Sequence, residues 1–549
     1  MAHVVRRVNS ANPAHALGIE DKAVGGGGRL NCPPQECIPK SSTSERGSER
    51  GNVGNATRAA FVPLSWGEET ALLPRMNDPL RARYDAIPYR HGAVPESHPA
   101  RTGAIARLLG ADAAPPDGCR VLELGCGEGM NLLPLAERFP LSQFVGVDFS
   151  ATQIATAEAA RAAAGLANAR FVCADLREFE PEAGAFDYVI AHGVYSWVTD
   201  EVKDRLLALI ARALAPAGVG YVSYNTQPGG GIVGGLRATL LASLGPAPDA
   251  ARAGEMLRAL AAAFATQPGA HAALMRDLLG DMLAKPAAAL LHEELGAVND
   301  PVAFLDFAMH AARTGLRFLA EAQFSSMPYE HLPAAARAPL AAFAGEPLQA
   351  QQFLDLLGHR RLRNSLLVRA DAPPARAPDA GVVRDCALTL HMSPPDGRID
   401  LEPGTALRLA GRHGFTMDVV KPAQKAFFAA LCEATPARLA FADALRRTGE
   451  LLAAAGLAET PDPAQLAAGM LKLFTVDQLD LALAGTGEWL RAAPHPAPSP
   501  LMRHQARHGL PVVNRWHENV ELSAEQRRWL AGEPVLVDEA AMVRTGLAV

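Results

Sequence analysis

The 549-residue sequence lacks long apolar segments. No window reaches the roughly 18 uninterrupted apolar residues that a membrane-spanning helix needs, and the N-terminus has no apolar stretch like that of a secretory signal peptide. The seven cysteines are an odd number without regular spacing, so they predict no disulfide framework. These absences argue against a membrane or secreted protein, and we expect a soluble, cytoplasmic protein with reduced thiols.

The chain also has no excess of positive charge and few aromatic residues. Its formal net charge of -6 leaves no basic field to attract a polyanion, so nucleic acid is not an expected partner. Proteins or small molecules are better candidates. Only 6% of the residues are aromatic, whereas alanine dominates the second half of the chain, which predicts a largely helical second half.

Recognisable metal-binding patterns are missing as well. Cys32 and Cys37 lack the two further nearby ligands that a structural zinc site needs. The sequence His292-Glu293-Glu294 has no histidine four residues after His292, which excludes the zinc-protease motif. We therefore predict no metal site.

Residues 1–75 differ in composition from the rest of the chain. They contain the glycine run Gly25 to Gly28 and a polar stretch, without sustained helix or strand periodicity. We interpret this segment as a disordered tail or an over-extended gene start. Met76, which directly precedes the first patterned segment, is the expected initiator in the second case.

Strands and helices alternate between residues 76 and 229. Short buried strands are predicted at 121–124, 143–147, 170–174, 186–191 and 219–224. The helices between them are predicted at 129–139, 150–164 and 199–214, with Ser150 as an N-cap. Such alternation is typical of βαβ units in a parallel sheet covered by helices on both faces. The expected fold class is therefore α/β, with a Rossmann-like sheet.

An alanine-rich helical insertion is predicted at residues 230–298, with a regulatory or dimerisation role. The following part, 299–370, begins with a predicted helix from Pro301 to Thr314. Two strands in this part, 316–323 and 361–369, would complete a seven-stranded sheet. A proline-rich linker at 371–382 then leads to a C-terminal α+β domain at 383–549, for which a winged-helix-like arrangement is one candidate.

The segment Glu123-Leu124-Gly125-Cys126-Gly127-Glu128-Gly129 lies where the first strand turns into the first helix. Gly125 and Gly127 would let a ligand approach the backbone, as in nucleotide-binding folds. The acidic Glu123 would repel a pyrophosphate, but it suits a ligand that carries an ammonium and a sulfonium group. The loop therefore predicts S-adenosylmethionine rather than a dinucleotide.

Two further acids end the next two strands. Asp148 follows the glycine loop by about 20 residues, where this class of fold places an acid on the ribose hydroxyls. Asp175 ends the third strand, in position to meet the adenine amino group. Each acid alone is compatible with helix capping, but three acids at successive strand ends on one sheet edge favour a ligand site.

The acceptor of the reaction is expected beyond the fourth strand, in His192-Gly193-Val194-Tyr195-Ser196-Trp197. Tyr195 and Trp197 would form a wall, and His192 would position a ligand or relay a proton. Packing of Trp197 under the next helix is an equally good interpretation. Tyr224, after the fifth strand, adds a polar group at the same edge.

The sequence resembles class I S-adenosylmethionine-dependent methyltransferases through VLELGCGEGMNLLPLA, FVGVDFS, ADL and FDYVIAHGVYSWV. More narrowly, YDAIPY, VPESHP, VSYNTQPGG, LRFLAEAQFSSM and RRLRNSLLVR resemble bacterial enzymes with a predicted methyltransferase regulatory domain, including rickettsial-type protein-lysine methyltransferases. The resemblance implies cofactor contacts at Glu123, Gly125, Gly127, Asp148, Asp175 and Leu176. It also implies acceptor-side roles for His192, Tyr195 and Tyr224.

The expected function is thus methyl transfer from S-adenosylmethionine to protein lysine. A small-molecule methyltransferase and a non-catalytic cofactor-binding regulator are the alternatives. A dry aromatic pocket near Tyr195 and Tyr224 would favour the neutral lysine that methylation requires. The alanine- and leucine-rich insertion is a candidate homodimer surface.

Overall fold

The computed structural model describes residue 85 and residues 90–245, 249–296, 298–330, 332–343, 345–487, 490 and 497–548. The predicted tail at 1–75 and the proposed start at Met76 lie outside these residues. The part of the chain that is described contains a large sheet near the N-terminal side, a helical insertion and a C-terminal α+β region.

A seven-stranded sheet forms the centre of the first region, in the order β3-β2-β1-β4-β5-β7-β6. Its strands are β1 (Arg120–Leu124), β2 (Gln143–Asp148), β3 (Ala169–Cys173), β4 (Phe186–Ala191), β5 (Leu214–Asn225), β6 (Leu316–Glu321) and β7 (Leu362–Arg369). The first five strands run parallel, and β7 is antiparallel to both of its neighbours. The predicted Rossmann-like α/β class, with its last two strands after the insertion, is confirmed.

Helices cover both faces of this sheet, because successive strand residues point to opposite sides. Val121 belongs to the apolar cluster on one face and Leu122 to the cluster on the other. The covering helices are α1 (Pro99–Leu108), α2 (Leu132–Arg138), α3 (Ala151–Ala164) and α4 (Asp200–Ala213). Ser150 caps α3 as predicted, since its side chain accepts a hydrogen bond from the Gln153 N–H.

The insertion after β5 consists of helices with an apolar core of their own. These are α5 (Gly229–Leu244), α6 (Ala250–Ala265) and α7 (Ala270–Leu283), followed by a π-helical turn at Leu290–Glu294. The chain then forms α8 (Phe304–Arg313), β6, α9 (Pro347–Leu357) and β7. Helix α8 was predicted from Pro301 but begins at Phe304, because Val302 pairs with Thr226 as an extension of β5.

The first part of the C-terminal region, residues 386–483, contains two small antiparallel sheets and three α-helices. Strands β8 (Cys386–Leu390), β11 (Leu439–Ala440) and β12 (Leu479–Leu483) form one sheet, and β9 (Leu407–Ala410) pairs with β10 (Thr416–Val419). The helices are α10 (Pro422–Ala434), α11 (Phe441–Ala454) and α12 (Pro463–Thr475). Leu388 and Leu481 share one apolar cluster with Ile105 of α1, so this region and the large sheet have a continuous core.

The last described segment, 497–548, returns to the large sheet. It contains α13 (Pro500–Arg507), the β-hairpin β13 (Val512–Val513) and β14 (Asn519–Val520), α14 (Ala524–Ala531) and α15 (Glu539–Arg544). Helix α13 packs against α2 and α3, which flank the predicted cofactor loop. The C-terminal region was predicted as one domain, whereas its last segment packs on the first.

Candidate active site

The glycine loop joins β1 to α2, and its glycines have positive φ angles. The φ angle is 78° at Gly125 and 53° at Gly127, in the left-handed region that favours glycine. A Cβ atom at Gly125 would lie 2.5 Å from Val194 Cγ2, so the loop also has no room for a side chain there. The turn therefore presents main chain at the carboxyl end of β1, as the sequence predicted.

Glu123 lies beside this loop and is only 1% exposed. Its Oε1 accepts a hydrogen bond of 2.9 Å from Asn131 Nδ2. Its Oε2 is buried without a hydrogen-bond partner among the described residues. Burial raises the pKa of this carboxyl to about 8. A buried acceptor that lacks a donor fits a ligand with an ammonium group at this position.

Asp148, at the end of β2, holds the loop from the other side. Its Oδ2 accepts a hydrogen bond of 3.0 Å from the Gly127 N–H, and its Oδ1 accepts one of 2.9 Å from the Ser150 N–H. Burial raises the pKa of Asp148, and these backbone donors oppose the shift. Each carboxylate oxygen can accept a second hydrogen bond, so Asp148 can bind ribose hydroxyls while it keeps the loop in place.

Asp175 and Leu176 follow β3 on the same sheet edge. The Asp175 carboxylate forms an ion pair with Arg177, with 2.5 Å between Oδ2 and Nη2. Leu176 is partly buried against the apolar cluster beneath the sheet edge. The sequence reasoning did not consider Arg177 as a partner for Asp175, although it lies only two residues away. Contact of Asp175 and Leu176 with adenine stays a prediction.

Tyr195 and Tyr224 lie together in a buried aromatic cluster with Phe307 of α8. The rings of Tyr224 and Phe307 stack with centroids 3.9 Å apart, and Tyr195 contacts both rings edge-on. The Tyr195 hydroxyl bonds to His310 Nδ1 at 2.8 Å and the Tyr224 hydroxyl to Ser365 Oγ at 3.1 Å. Burial raises the pKa of both phenols, so they are neutral donors and acceptors.

His192 lies on the opposite face of the sheet from that cluster. Its Nδ1 is 3.1 Å from the Tyr221 hydroxyl, and the two rings stack. Burial lowers the pKa of His192 to about 3, so the imidazole is neutral near pH 7. The structure thus brings two of the three predicted acceptor-side residues together and separates the third, since β5 side chains alternate between the faces.

A buried charge network supports the Tyr224 side of the cluster. Ser365 Oγ donates to Glu321 Oε1 at 2.8 Å, and Arg363 Nη1 bonds to the same oxygen at 2.6 Å. Arg363 also forms two hydrogen bonds of 2.8 Å with Asp355. The motif RRLRNSLLVR contains Arg363 and Ser365 but does not by itself predict this network, because the acidic partners lie on β6 and α9.

Asn131 is another residue of the site that the sequence did not predict. It lies at the start of α2 and is fully buried. Its Nδ2 donates to Glu123 Oε1 and to Ser97 Oγ, and its Oδ1 accepts from the Val94 N–H and from His517 Nε2. Both Ser97 and Asn131 occur in quoted motifs, but only the folded chain shows that they meet at Glu123.

The described residues contain no group of three or more His, Cys, Asp or Glu side chains arranged to hold a metal ion. No described helix is both long enough and apolar enough to cross a membrane.

Two family models match the chain. The model described as "Methyltransferase domain" matches residues 121–218, from β1 into β5. The model described as "Predicted methyltransferase regulatory domain" matches residues 286–369, from the end of the insertion through β7.

The chain is similar to two uncharacterised proteins of Rickettsia prowazekii. It is 30% identical to RP789 over 292 residues, which is 52% of this chain and 53% of RP789. It is also 30% identical to RP028 over 240 residues, which is 43% of this chain and 96% of RP028. The chain thus spans about half the length of the first relative and nearly all of the second.

Among solved structures, the fold resembles PKMT2 from Rickettsia typhi. The TM-score is 0.70 with 23% sequence identity, over 83% of this chain and 90% of PKMT2. A second structure of PKMT2, in complex with AdoHcy, gives a TM-score of 0.69 with 24% identity, over 80% of this chain and 88% of PKMT2.

The fold and the cofactor loop together define a Rossmann-like methyltransferase domain whose cofactor is S-adenosylmethionine. The glycine backbone, the unpaired oxygen of Glu123 and the free lone pairs of Asp148 all fit that cofactor. The chain belongs to the S-adenosylmethionine-dependent methyltransferases that carry a predicted methyltransferase regulatory domain.

Proposed function

We propose that this protein is an enzyme that N-methylates lysine side chains of proteins. The observation that carries the proposal is the likeness to PKMT2, a protein-lysine methyltransferase, which extends beyond the methyltransferase domain over most of the chain. A shared methyltransferase domain alone would support only methyl transfer.

The cofactor, when bound, supplies a methyl group that its sulfonium already activates, so the chain mainly aligns donor and acceptor. Glu123 would hold the ammonium group through its unpaired oxygen, and Asp148 would hold the ribose. Asp175 and Leu176 would contact the adenine. With these contacts the chain would orient the methyl group toward an acceptor near the loop that follows β4.

A lysine ammonium must lose a proton before its nitrogen can attack. The aromatic cluster of Tyr195, Tyr224 and Phe307 offers an apolar wall, which disfavours the charged amine. Tyr195 is bonded to His310, and His310 Nε2 lies 2.7 Å from Asp204, whose side chain is 73% exposed. This chain of hydrogen bonds is a route by which the proton can reach solvent. His192, directly after β4, would position the acceptor from the opposite face of the sheet.

The test is to incubate the purified full chain with methyl-labelled S-adenosylmethionine and fractions of cell-envelope protein, and separately with metabolite extracts. We expect label in protein, located on lysine by mass spectrometry. Label in metabolites alone would replace the proposal with a small-molecule methyltransferase. Binding of the cofactor without any transfer would indicate a regulatory protein.

A variant with weakened cofactor binding serves as the control for contaminating enzymes. At a cofactor concentration that saturates only the wild type, Asp148→Ala should strongly reduce label transfer, because the proposed role of Asp148 is in the cofactor site and not at the acceptor cluster. Label that persists with this variant would come from another protein in the preparation.

The proposal includes a cytoplasmic location and a homodimer formed through the insertion. The support for the homodimer is the alanine- and leucine-rich surface of α5 to α7, on which Ile232 is 38% exposed. Light scattering of the purified protein should give twice the mass of the chain, and the Ile232→Glu variant should give the mass of a monomer. A monomeric wild-type protein would contradict the dimer.

A further inference from the structure

The β-hairpin near the end of the chain reaches the cofactor site. Between β13 and β14, the hairpin carries His517, which is 3% exposed. Two residues later, the Asn519 amide donates a hydrogen bond of 2.9 Å to the Ala93 carbonyl and accepts one of 2.8 Å from the Ala93 N–H. The hairpin is therefore attached to the segment that precedes α1, beside the glycine loop.

His517 also contacts Asn131, 386 residues earlier in the chain. The distance from His517 Nε2 to Asn131 Oδ1 is 2.8 Å. Burial lowers the pKa of His517 to about 3, so the ring is neutral near pH 7. Because an amide oxygen only accepts hydrogen bonds, Nε2 carries the proton and donates it.

The Val94 N–H determines which way the Asn131 amide faces. Because a backbone N–H requires an acceptor, Oδ1 faces Val94 and the NH₂ group points to the other side, and the hydrogen bond from His517 Nε2 to the same oxygen holds the amide in this orientation. On that side it donates to Ser97 Oγ and to Glu123 Oε1. All hydrogen-bonding positions of the amide are thus used, and the Glu123 carboxylate is held with Oε2 unpaired.

We propose that His517 is a positioning residue of the cofactor site, which acts through Asn131 to orient Glu123 toward the ammonium group of S-adenosylmethionine. The C-terminal hairpin is then part of that site. His517 itself does not touch the cofactor. The inference needs only cofactor binding and is independent of the acceptor proposed above, so either proposal can fail without the other.

The main test removes the His517 side chain and measures S-adenosylhomocysteine binding to the full chain by calorimetry. His517 has a φ angle of 64°, which glycine adopts without strain, so His517→Gly keeps the backbone. We expect the affinity to fall by about tenfold, which corresponds to one hydrogen bond to a charged network. His517→Gln should restore most of it, because its amide nitrogen can donate at the position of Nε2.

A second readout separates positioning from packing. In His517→Gly the Asn131 amide is no longer held with its NH₂ group toward Glu123, so the ionised form of Glu123 is less stable. The pH at which cofactor affinity reaches half its maximum should therefore be higher in His517→Gly than in wild type. The matched control is Glu137→Ala on α2. Glu137 Oε1 accepts from the Leu501 N–H and attaches the same C-terminal segment to the same helix, away from the loop.

The expected result is that Glu137→Ala lowers the melting temperature but leaves both the affinity and its pH dependence unchanged. Equal loss of affinity in the two variants would show that the hairpin acts through packing alone and would overturn the proposal. A folded His517→Gly variant with wild-type affinity, or a His517→Gln variant as weak as His517→Gly, would also overturn it.

Discussion

Glu123 combines burial with an unpaired oxygen, and its proposed role toward the cofactor's ammonium group implies that cofactor binding depends on pH. Burial raises the pKa of Glu123 to about 8, so the carboxyl is largely protonated in the free protein at lower pH. In the proposed site, the ammonium group of the cofactor would pair with the ionised form. Binding below that pH must therefore release a proton.

We predict that S-adenosylhomocysteine affinity rises with pH up to about 8 and falls by up to about tenfold for each unit below it. Calorimetry in a series of buffers measures this dependence. Glu123→Gln should bind weakly at every pH and lose the dependence. A wild-type affinity that is constant over this range would refute the assignment of Glu123 to the ammonium group.

The ionisation of Glu123 also affects the stability of the folded protein, in the direction opposite to its effect on cofactor affinity. Its folded-state pKa is raised above the ordinary value of 4.5, so its contribution to stability is complete below about 4.5 and is lost as the pH rises through about 8. The cofactor reverses this loss when its ammonium group pairs with the carboxylate. The increase in melting temperature on adding cofactor should therefore be larger at pH 8 than at pH 6.

Asp148 supports a further prediction at the residue scale. Asp148→Ala should weaken cofactor binding because it removes hydrogen bonds to two ribose hydroxyls, each worth about 1.5–3 kcal/mol when the acceptor is charged. It also releases the Gly127 N–H. Calorimetry with a folded variant measures the effect, and NAD should not bind to wild type. Unchanged cofactor affinity would exclude this placement of Asp148.

At the scale of secondary-structure elements, β6, β7 and α9 depend on one buried arginine. Arg363 lies between Asp355 and Glu321 and stacks on Phe304, with 3.9 Å from its guanidinium carbon to the ring centroid. The three charged side chains are at most 3% exposed. Removing the cation would leave the buried Glu321 without its cationic partner and Asp355 with only the 3.3 Å ion pair to Arg360.

We predict that Arg363→Ala lowers the free energy of unfolding by about 3–5 kcal/mol. The matched control is Arg369→Ala at the end of the same strand, where solvent screens the ion pair with Asp371, so we expect a much smaller loss. Denaturant titration measures both values. Similar losses in the two variants would contradict the role assigned to burial.

Phe307 tests the acceptor side at the same scale. It packs between Tyr195 and Tyr224, and Phe307→Ala should cost about 3–5 kcal/mol of stability. In a variant that is still folded, methyl transfer should fall at least tenfold while S-adenosylhomocysteine affinity stays within about twofold, because the cluster does not contact Glu123 or Asp148. Parallel losses of transfer and affinity would show that the cluster supports the cofactor site instead.

The sequence predicted most of these elements because their signals are local. The glycine loop, the N-cap at Ser150 and the buried strands β1 to β5 each depend on neighbouring residues. The late return of β6 and β7 followed from apolar strand patterns after a helical interval. Asn131, His310, Arg363 and His517 escaped prediction, since a lone polar residue shows no periodicity and its partners lie far away in the chain.

At the scale of the whole molecule, the number of apolar cores predicts how the protein unfolds. One core runs from the large sheet through α1 into β8 and β12, so these regions should unfold together. The insertion has a separate core formed by residues such as Leu240, Leu257 and Leu279. Its stability is therefore independent of the sheet to a first approximation.

We predict faster amide hydrogen exchange in 229–294 than in β1, β4 and β8, and a separate calorimetric transition for the insertion. Leu279→Ala should shift only that transition, because Leu279 is fully buried within the insertion core. A single transition that shifts as a whole in this variant would show that the insertion and the sheet are one cooperative unit.

The distance along the chain between partners has a consequence for synthesis on the ribosome. Asn131 and His517 are 386 residues apart. The strands β1 and β2 and the glycine loop therefore leave the ribosome long before the hairpin whose His517 bonds to Asn131. Translation at about 5–20 residues per second separates the two events by tens of seconds. If His517 positions Glu123 as proposed, tight cofactor binding requires the nearly finished polypeptide, because a nascent chain has the glycine loop before it has the hairpin.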